Sequence, residues 1–211
     1  VPLVLKQREG AVMASAALKS RVTPEQYLAI ERKSEYKSEY LDGVIYAMSG
    51  ASFEHNSIAM NLAAQLHSRL RDSPCRVVAA DQRVCVAPTG LYTYPDIAIV
   101  CAEPQFLDGE FDTLLNPTVL IEVLSPSTEA YDRGKKFGHY RRIASLREYV
   151  LVAQDRVSVE RYVRRGQDWV LTEWNSLDES LRLDSIEGDV PLREIYAKVV
   201  IPKVDDAGDR A

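Results

Sequence analysis

Several common signatures are missing from this chain of 211 residues. No run of about 18 apolar residues occurs, so there is no candidate for a membrane-spanning helix. The opening VPLVLKQREGAVMASAALKS does not read as a signal peptide, because its apolar part is short and charges follow directly. Cysteines number three, Cys75, Cys85 and Cys101, and no pair has the C-x-x-C spacing of zinc or redox sites. The expectation is small buried hydrophobes in a reducing cytoplasm. The three histidines, His55, His67 and His139, are scattered without metal-ligand spacing. His55, near a helix start, is expected to be exposed. No G-x-S-x-G, P-loop or G-x-G-x-x-G is present. Nothing near the candidate acids supplies the several tryptophans that a carboxylate-paired sugar hydrolase uses as platforms. Positive charge is not in excess: 26 bases face 31 acids, net −5. That excludes a wholly basic coat for nucleic acid while leaving room for local basic patches.

What is present is an ordinary globular balance, 46% hydrophobic and 27% charged. The length suits one domain, placed at 21–200, with 1–20 as an extension or disordered segment and 201–211 as a flexible tail. The chain does not begin with Met, and Met13 is the expected true start. TPEQYLAIE opens a helix, with Thr23 as N-cap, Pro24 in the first turn and Gln26 completing a capping box. Asp42-Gly43 between two alternating runs is a hairpin signal. Residues 54–71 carry Ile58, Leu62, Leu66 and Leu70 at helical spacing. Strand runs follow in CRVVAADQRVCVA, YPDIAIVC, TVLIEVL and EYVLV, then a hairpin turning at Arg165-Gly166. A short strand is expected near LRLD and a short helix after Pro191. The order predicts a mixed α/β (α+β) sheet flanked by helices, with a crossover carrying a helix between TVLIEVL and EYVLV.

Two acids interrupt the apolar strands. Glu122 sits inside TVLIEVL, where an unpaired ionised carboxyl would cost several kcal/mol or more. Asp96 leads into Ile97-Ala98-Ile99-Val100. Alternation puts Asp96 on the face of Ala98, and Glu122 on the face of Leu120 and Leu124. If the two strands are neighbours, the carboxylates converge and repel unless a cation sits between them. Hard oxygen donors suit Mg²⁺, which takes one or two carboxylates and accepts phosphates. The structural alternative stands beside this one: Asp96 caps a turn, and Glu122 pairs with a buried arginine such as Arg83.

The segment 133–147 holds Arg133, Lys135, Lys136, Arg141, Arg142 and Arg147 and no acid. By default such a run is a solvated helix face. Beside a metal it would form a cationic wall for phosphates. It lacks the interleaved aromatics of single-strand binders.

Together, SEYLDGVIYAMSGAS, YPDIAIV, IEVLSPST and DRGKKFGHYRR…REYVLV resemble the Uma-type restriction endonucleases, bacterial proteins of the PD-(D/E)XK nuclease superfamily. The resemblance runs from about Thr23 to about Asp155. It implies a restriction-endonuclease-like core, and a Mg²⁺-dependent endonuclease (Mn²⁺ as substitute) that hydrolyses DNA phosphodiesters in the cytoplasm, with room for a homodimer. It implies Asp96 and Glu122 as metal-holding acids. The superfamily lysine should stand two residues after Glu122, where this chain has Leu124. The resemblance implies that a lysine on the following helix takes over, Lys136 with Lys135 in reserve. Glu39 matches an acid of the family's N-terminal hairpin. Arg133, Lys135, Tyr140, Arg141 and Arg142 would contact the nucleic acid. The alternative is an inactive nuclease-fold module for binding or assembly. The displaced lysine favours it, and the retained acids oppose it.

Overall fold

The structure is a computed structural model that describes residues 21–186 and 188–202. The expectations for 1–20, for Met13 and for residues 203–211 lie outside the described residues.

Helix α1 (Pro24–Glu31) starts as its sequence requires: Thr23 and Gln26 exchange side-chain bonds with each other's backbone N–H, closing the capping box. Strands β1 (Ser38–Leu41) and β2 (Val44–Ala47) form a hairpin whose two-residue turn is Asp42-Gly43. Both turn residues have positive φ, +50° and +83°, as the tight turn that matches strand twist demands. Gly43 has a second reason to lack a side chain, because a Cβ there would collide with the Arg21 side chain. Helix α2 (Phe53–Arg69) is capped by Ser52 and buries the stripe Ile58, Leu62 and Leu66.

The strands divide between two main sheets. The first runs β2-β1-β5-β4-β7, with β4 (Arg83–Val86), β5 (Leu91–Thr93) and β7 (Thr113–Leu114). The second is mixed and runs β11-β10-β9-β8-β6-β3, with β3 (Arg76–Ala79), β6 (Ile97–Val100), β8 (Val119–Leu124), β9 (Glu148–Ala153), β10 (Val159–Arg165) and β11 (Asp168–Trp174). A small hairpin of β12 (Ser180–Leu183) and β13 (Gly188–Pro191) precedes the short helix α5 (Leu192–Ile195). CRVVAADQRVCVA, which reads as one strand region, is two strands in different sheets. Ala80 breaks it at φ +55°, its N–H turned to the carbonyl of Asp96.

The parallel pair β8–β9 needs a crossover, and the chain supplies helices α3 (Glu129–Tyr131) and α4 (Phe137–Tyr140) with a π-helical turn, Asp132–Lys136, between them. The larger sheet has two buried faces. Ile97, Ile99, Val119 and Ile121 pack with the α2 stripe. Ala98, Leu120 and Leu124 face the other way, among Tyr140, Tyr149 and Val84. Glu122 belongs to this second face by alternation.

The cysteines depart from expectation. The β3–β6 register pairs Arg76 with Val100, which sets Cys75 opposite Cys101, and the two form a disulfide. Spacing in sequence does not reveal a pair made by strand register. Cys85 alone is the free, buried cysteine the composition suggests.

Candidate active site

Strand register brings the two acids together. Ile97 pairs with Ile121 across β6 and β8, so Asp96, one residue earlier, stands opposite Glu122. Asp96 precedes its strand, and its Oδ2 is fixed from two sides. The backbone N–H of Val123 donates to it at 2.7 Å, and Nε2 of His55 lies 3.3 Å away. His55 is the third residue of α2, so the Ser52 cap sets its place. It is half-buried rather than the exposed helix-end residue expected, and its Nδ1 has no partner.

Glu122 is 4% exposed, in the middle of a fully buried strand. Its partner is not Arg83, which is held by Asp112 and by the Tyr94 hydroxyl. Instead Nζ of Lys136 stands 2.9 Å from Oε1 of Glu122, and the Tyr140 hydroxyl donates to the same oxygen at 2.7 Å. Lys136 is 5% exposed and meets two further carboxylates, Glu39 at 3.2 Å and Asp132 at 3.4 Å. Glu39 arrives from β1, where it also accepts bonds from Thr93 and Tyr131. Asp132 and Lys136, four residues apart in this helical segment, share one face, and both are buried. Lys135, one residue earlier, is exposed.

The group is short of positive charge. Three carboxylates, Glu39, Glu122 and Asp132, meet one ammonium, and Asp96 adds a fourth negative charge beside Glu122. Burial pushes Glu122 up to about 8 against the pull of Lys136, and Asp132 and Asp96 push the same way. Burial likewise raises Asp132. The three carboxylates overcome the burial of Lys136 and hold it well above its usual range, so the ammonium keeps its charge. Among the described residues, no three His, Cys, Asp or Glu side chains are already arranged around one ion position. The donor chemistry nevertheless fits a divalent cation: hard carboxylate oxygens, with unneutralised negative charge, at a recess of about 810 Å³.

The sequence-assigned nucleic-acid residues scatter. Lys135, Arg141 and Arg142 are exposed. Arg133 is tied to Glu129 and Glu160. Tyr140 is fully buried and turned to Glu122, so it faces the acid and not the solvent. Asp132 was not among the sequence candidates, and His55, near a helix start and within reach of the site, was expected to be exposed. The signal for Asp132 is its place four residues before Lys136.

Among the described residues no helix is long and apolar enough to cross a membrane. The fold is similar to the crystal structure of a "putative nuclease belonging to DUF820" from Anabaena variabilis, with a TM-score of 0.68 and 17% identity, covering 83% of this chain and 98% of that one. Two uncharacterized proteins of Synechocystis sp. are similar in sequence. Protein sll1609 is 37% identical over 153 residues, 72% of this chain and 86% of that protein. Protein slr1290 is 36% identical over 167 residues, 79% of this chain and 86% of that protein. The model of the Uma2 family, described as "Putative restriction endonuclease", matches residues 24–192. With that match across most of its length, the chain belongs to the Uma2 family.

Proposed function

We propose that this chain is a divalent-metal-dependent endodeoxyribonuclease that hydrolyses phosphodiester bonds of DNA. The observation that carries the reading is the meeting of Asp96, Glu122 and Lys136 at one recess, from three separate stretches of sequence. Asp96 and Glu122 would hold Mg²⁺, or Mn²⁺ in its place, with water and phosphate oxygens completing its shell. When bound, the ion supplies Lewis-acid polarisation of the phosphate and a more acidic attacking water.

The rest of the work falls to side chains. Lys136 places an ammonium where charge builds on the phosphate oxygens, and its burial makes that charge count for more than it would in water. Tyr140 donates to Glu122 and fixes the direction of its carboxylate. The Val123 N–H and His55 do the same for Asp96, leaving its Oδ1 free for the site. Glu39 and Asp132 hold the lysine between them and keep its amine charged. Lys135, Arg141 and Arg142 would meet the DNA backbone without reading bases.

Nicking of supercoiled plasmid with Mg²⁺ and not with EDTA, abolished in Glu122→Gln, is the expected result. Absence of nicking with both Mg²⁺ and Mn²⁺ would overturn it. One observation favours a second reading, an inactive module for binding or assembly. Three carboxylates already satisfy Lys136, which is what a purely structural ion cluster would look like. Such a cluster would show no response to Mg²⁺.

A further inference from the structure

The recess combines depth, aromatics and a lack of free cations. Glu122 and Lys136 are 4% and 5% exposed, so a reacting phosphate must enter the recess to reach them. Duplex DNA is stiff over about 150 base pairs, and its phosphates sit on the outside of a cylinder. A single strand bends at every nucleotide.

The lining includes Tyr36 and Tyr46, which are 79% and 53% exposed. Tyr46 pairs with Glu39 across the β1–β2 hairpin, so the two side chains share one face of it. The same face therefore carries an acid inward to Lys136 and an aromatic ring outward to solvent. An exposed tyrosine offers a rigid apolar ring with a polar tip, a surface suited to a planar ligand. Bases stack on such rings whatever their identity.

The third feature is electrostatic. Of the two lysines among the lining residues, Lys136 is enclosed by carboxylates. Lys37 is bound to the Ala80 carbonyl and to Asp81. Among the described residues the lining holds no arginine and six acids. These acids repel a phosphate backbone of either form, so affinity at this mouth must come from stacking, with the backbone held away from the acids.

We infer that the site takes an unpaired nucleic-acid strand and stacks its bases on Tyr36 and Tyr46. The inference rests on the nuclease reading for the chemistry and stands apart from it for binding. The stacking platform lies on the N-terminal hairpin and the turn that leads into it, outside the basic segment.

The test uses the full chain and one fluorescein-labelled DNA oligonucleotide, single-stranded or annealed to its complement. Binding is read by anisotropy in EDTA, and cleavage in Mg²⁺. The single strand should bind and be cut in preference to the duplex. Tyr36→Ala with Tyr46→Ala should weaken its binding and raise its KM by about tenfold or more, while Phe at both positions restores them. Melting temperatures of the variants check that these exposed positions leave the fold intact. Single-strand binding that needs the rings, without cutting of either DNA, supports the inference and ends the nuclease reading. Equal use of both DNAs, or an Ala pair without effect, overturns the inference and leaves the nuclease reading standing. Binding of neither DNA also overturns it.

Discussion

Nζ of Lys136 lies 2.9 Å from Oε1 of Glu122, although the lysine comes from the helical crossover and the glutamate from the strand before it. The two groups do not contribute symmetrically. Among the described residues Lys136 has three carboxylate partners, and each of those has Lys136 as its one salt-bridge partner.

Removing the two partners should therefore have unequal effects. Lys136→Met strands two buried carboxylates, Glu122 and Asp132, and the part-buried Glu39, and breaking a buried charge network of this kind costs about 3–5 kcal/mol. Glu122→Gln keeps the side-chain shape and leaves Lys136 with Glu39 and Asp132. It should change the stability of the metal-free protein far less. Urea unfolding of the wild type and both variants in EDTA measures this. A loss in Glu122→Gln as large as in Lys136→Met would mean that Glu122 is structural.

The metal-free protein should lose stability as pH rises from 4.5 to about 8. Glu122 is held at about 8 in the fold against an ordinary 4.5. Below 4.5 the group is protonated in both states, and its contribution is complete. Above that the unfolded chain ionises first, so the contribution is lost by about 8. His55, also raised, acts in the same direction through its hydrogen bond and charge contact with Asp96, which outweigh burial. Melting temperatures across this range in EDTA should fall for the wild type and fall less for Glu122→Gln. Parallel curves would count against a raised Glu122.

Mg²⁺ should stabilise the fold. A ligand at 100 times its Kd adds about 2.7 kcal/mol when it binds only the native state. Asp96→Asn and Glu122→Gln should each remove this gain. A gain that persists in both variants would place the ion elsewhere.

Tyr140 and His55 should act as positioning residues. Tyr140→Phe removes the bond to Glu122 and should cost about 0.5–1.5 kcal/mol, the usual range for a hydrogen bond, because the raised Glu122 is largely protonated at neutral pH without metal. His55→Ala removes one of the two groups on Asp96 while Val123 keeps its bond. Loss of such supporting contacts typically lowers metal affinity or activity about 10–100-fold. Calorimetry with Mg²⁺ on both variants reads this, and unchanged affinity in both would show that neither orients its acid.

Local signals in the sequence were reliable where the physics is local. The Thr23–Gln26 capping box, the Asp42-Gly43 turn and the α2 stripe all depend on neighbours a few residues apart, and all are present. The hairpin near Arg165-Gly166 turns at Gly166-Gln167, one residue on, with Gly166 at φ +64°. Period-two alternation also assigned Glu122 to the face of Leu120 and Leu124 without knowledge of any partner.

Other features were decided by register and by docking, which no local pattern encodes. The disulfide depends on the pairing of Arg76 with Val100. The inward turn of Lys136 and the outward turn of Lys135 depend on which face of the crossover docks against β1 and β8. The burial of Tyr140 depends on Glu122 lying beneath it. The sequence by itself determined which acids stand in apolar strands, because burying a charge is costly enough to mark the chain. Which cation answers them was decided only by the tertiary structure, because residues from β1, β8 and the crossover meet only when the strands are paired.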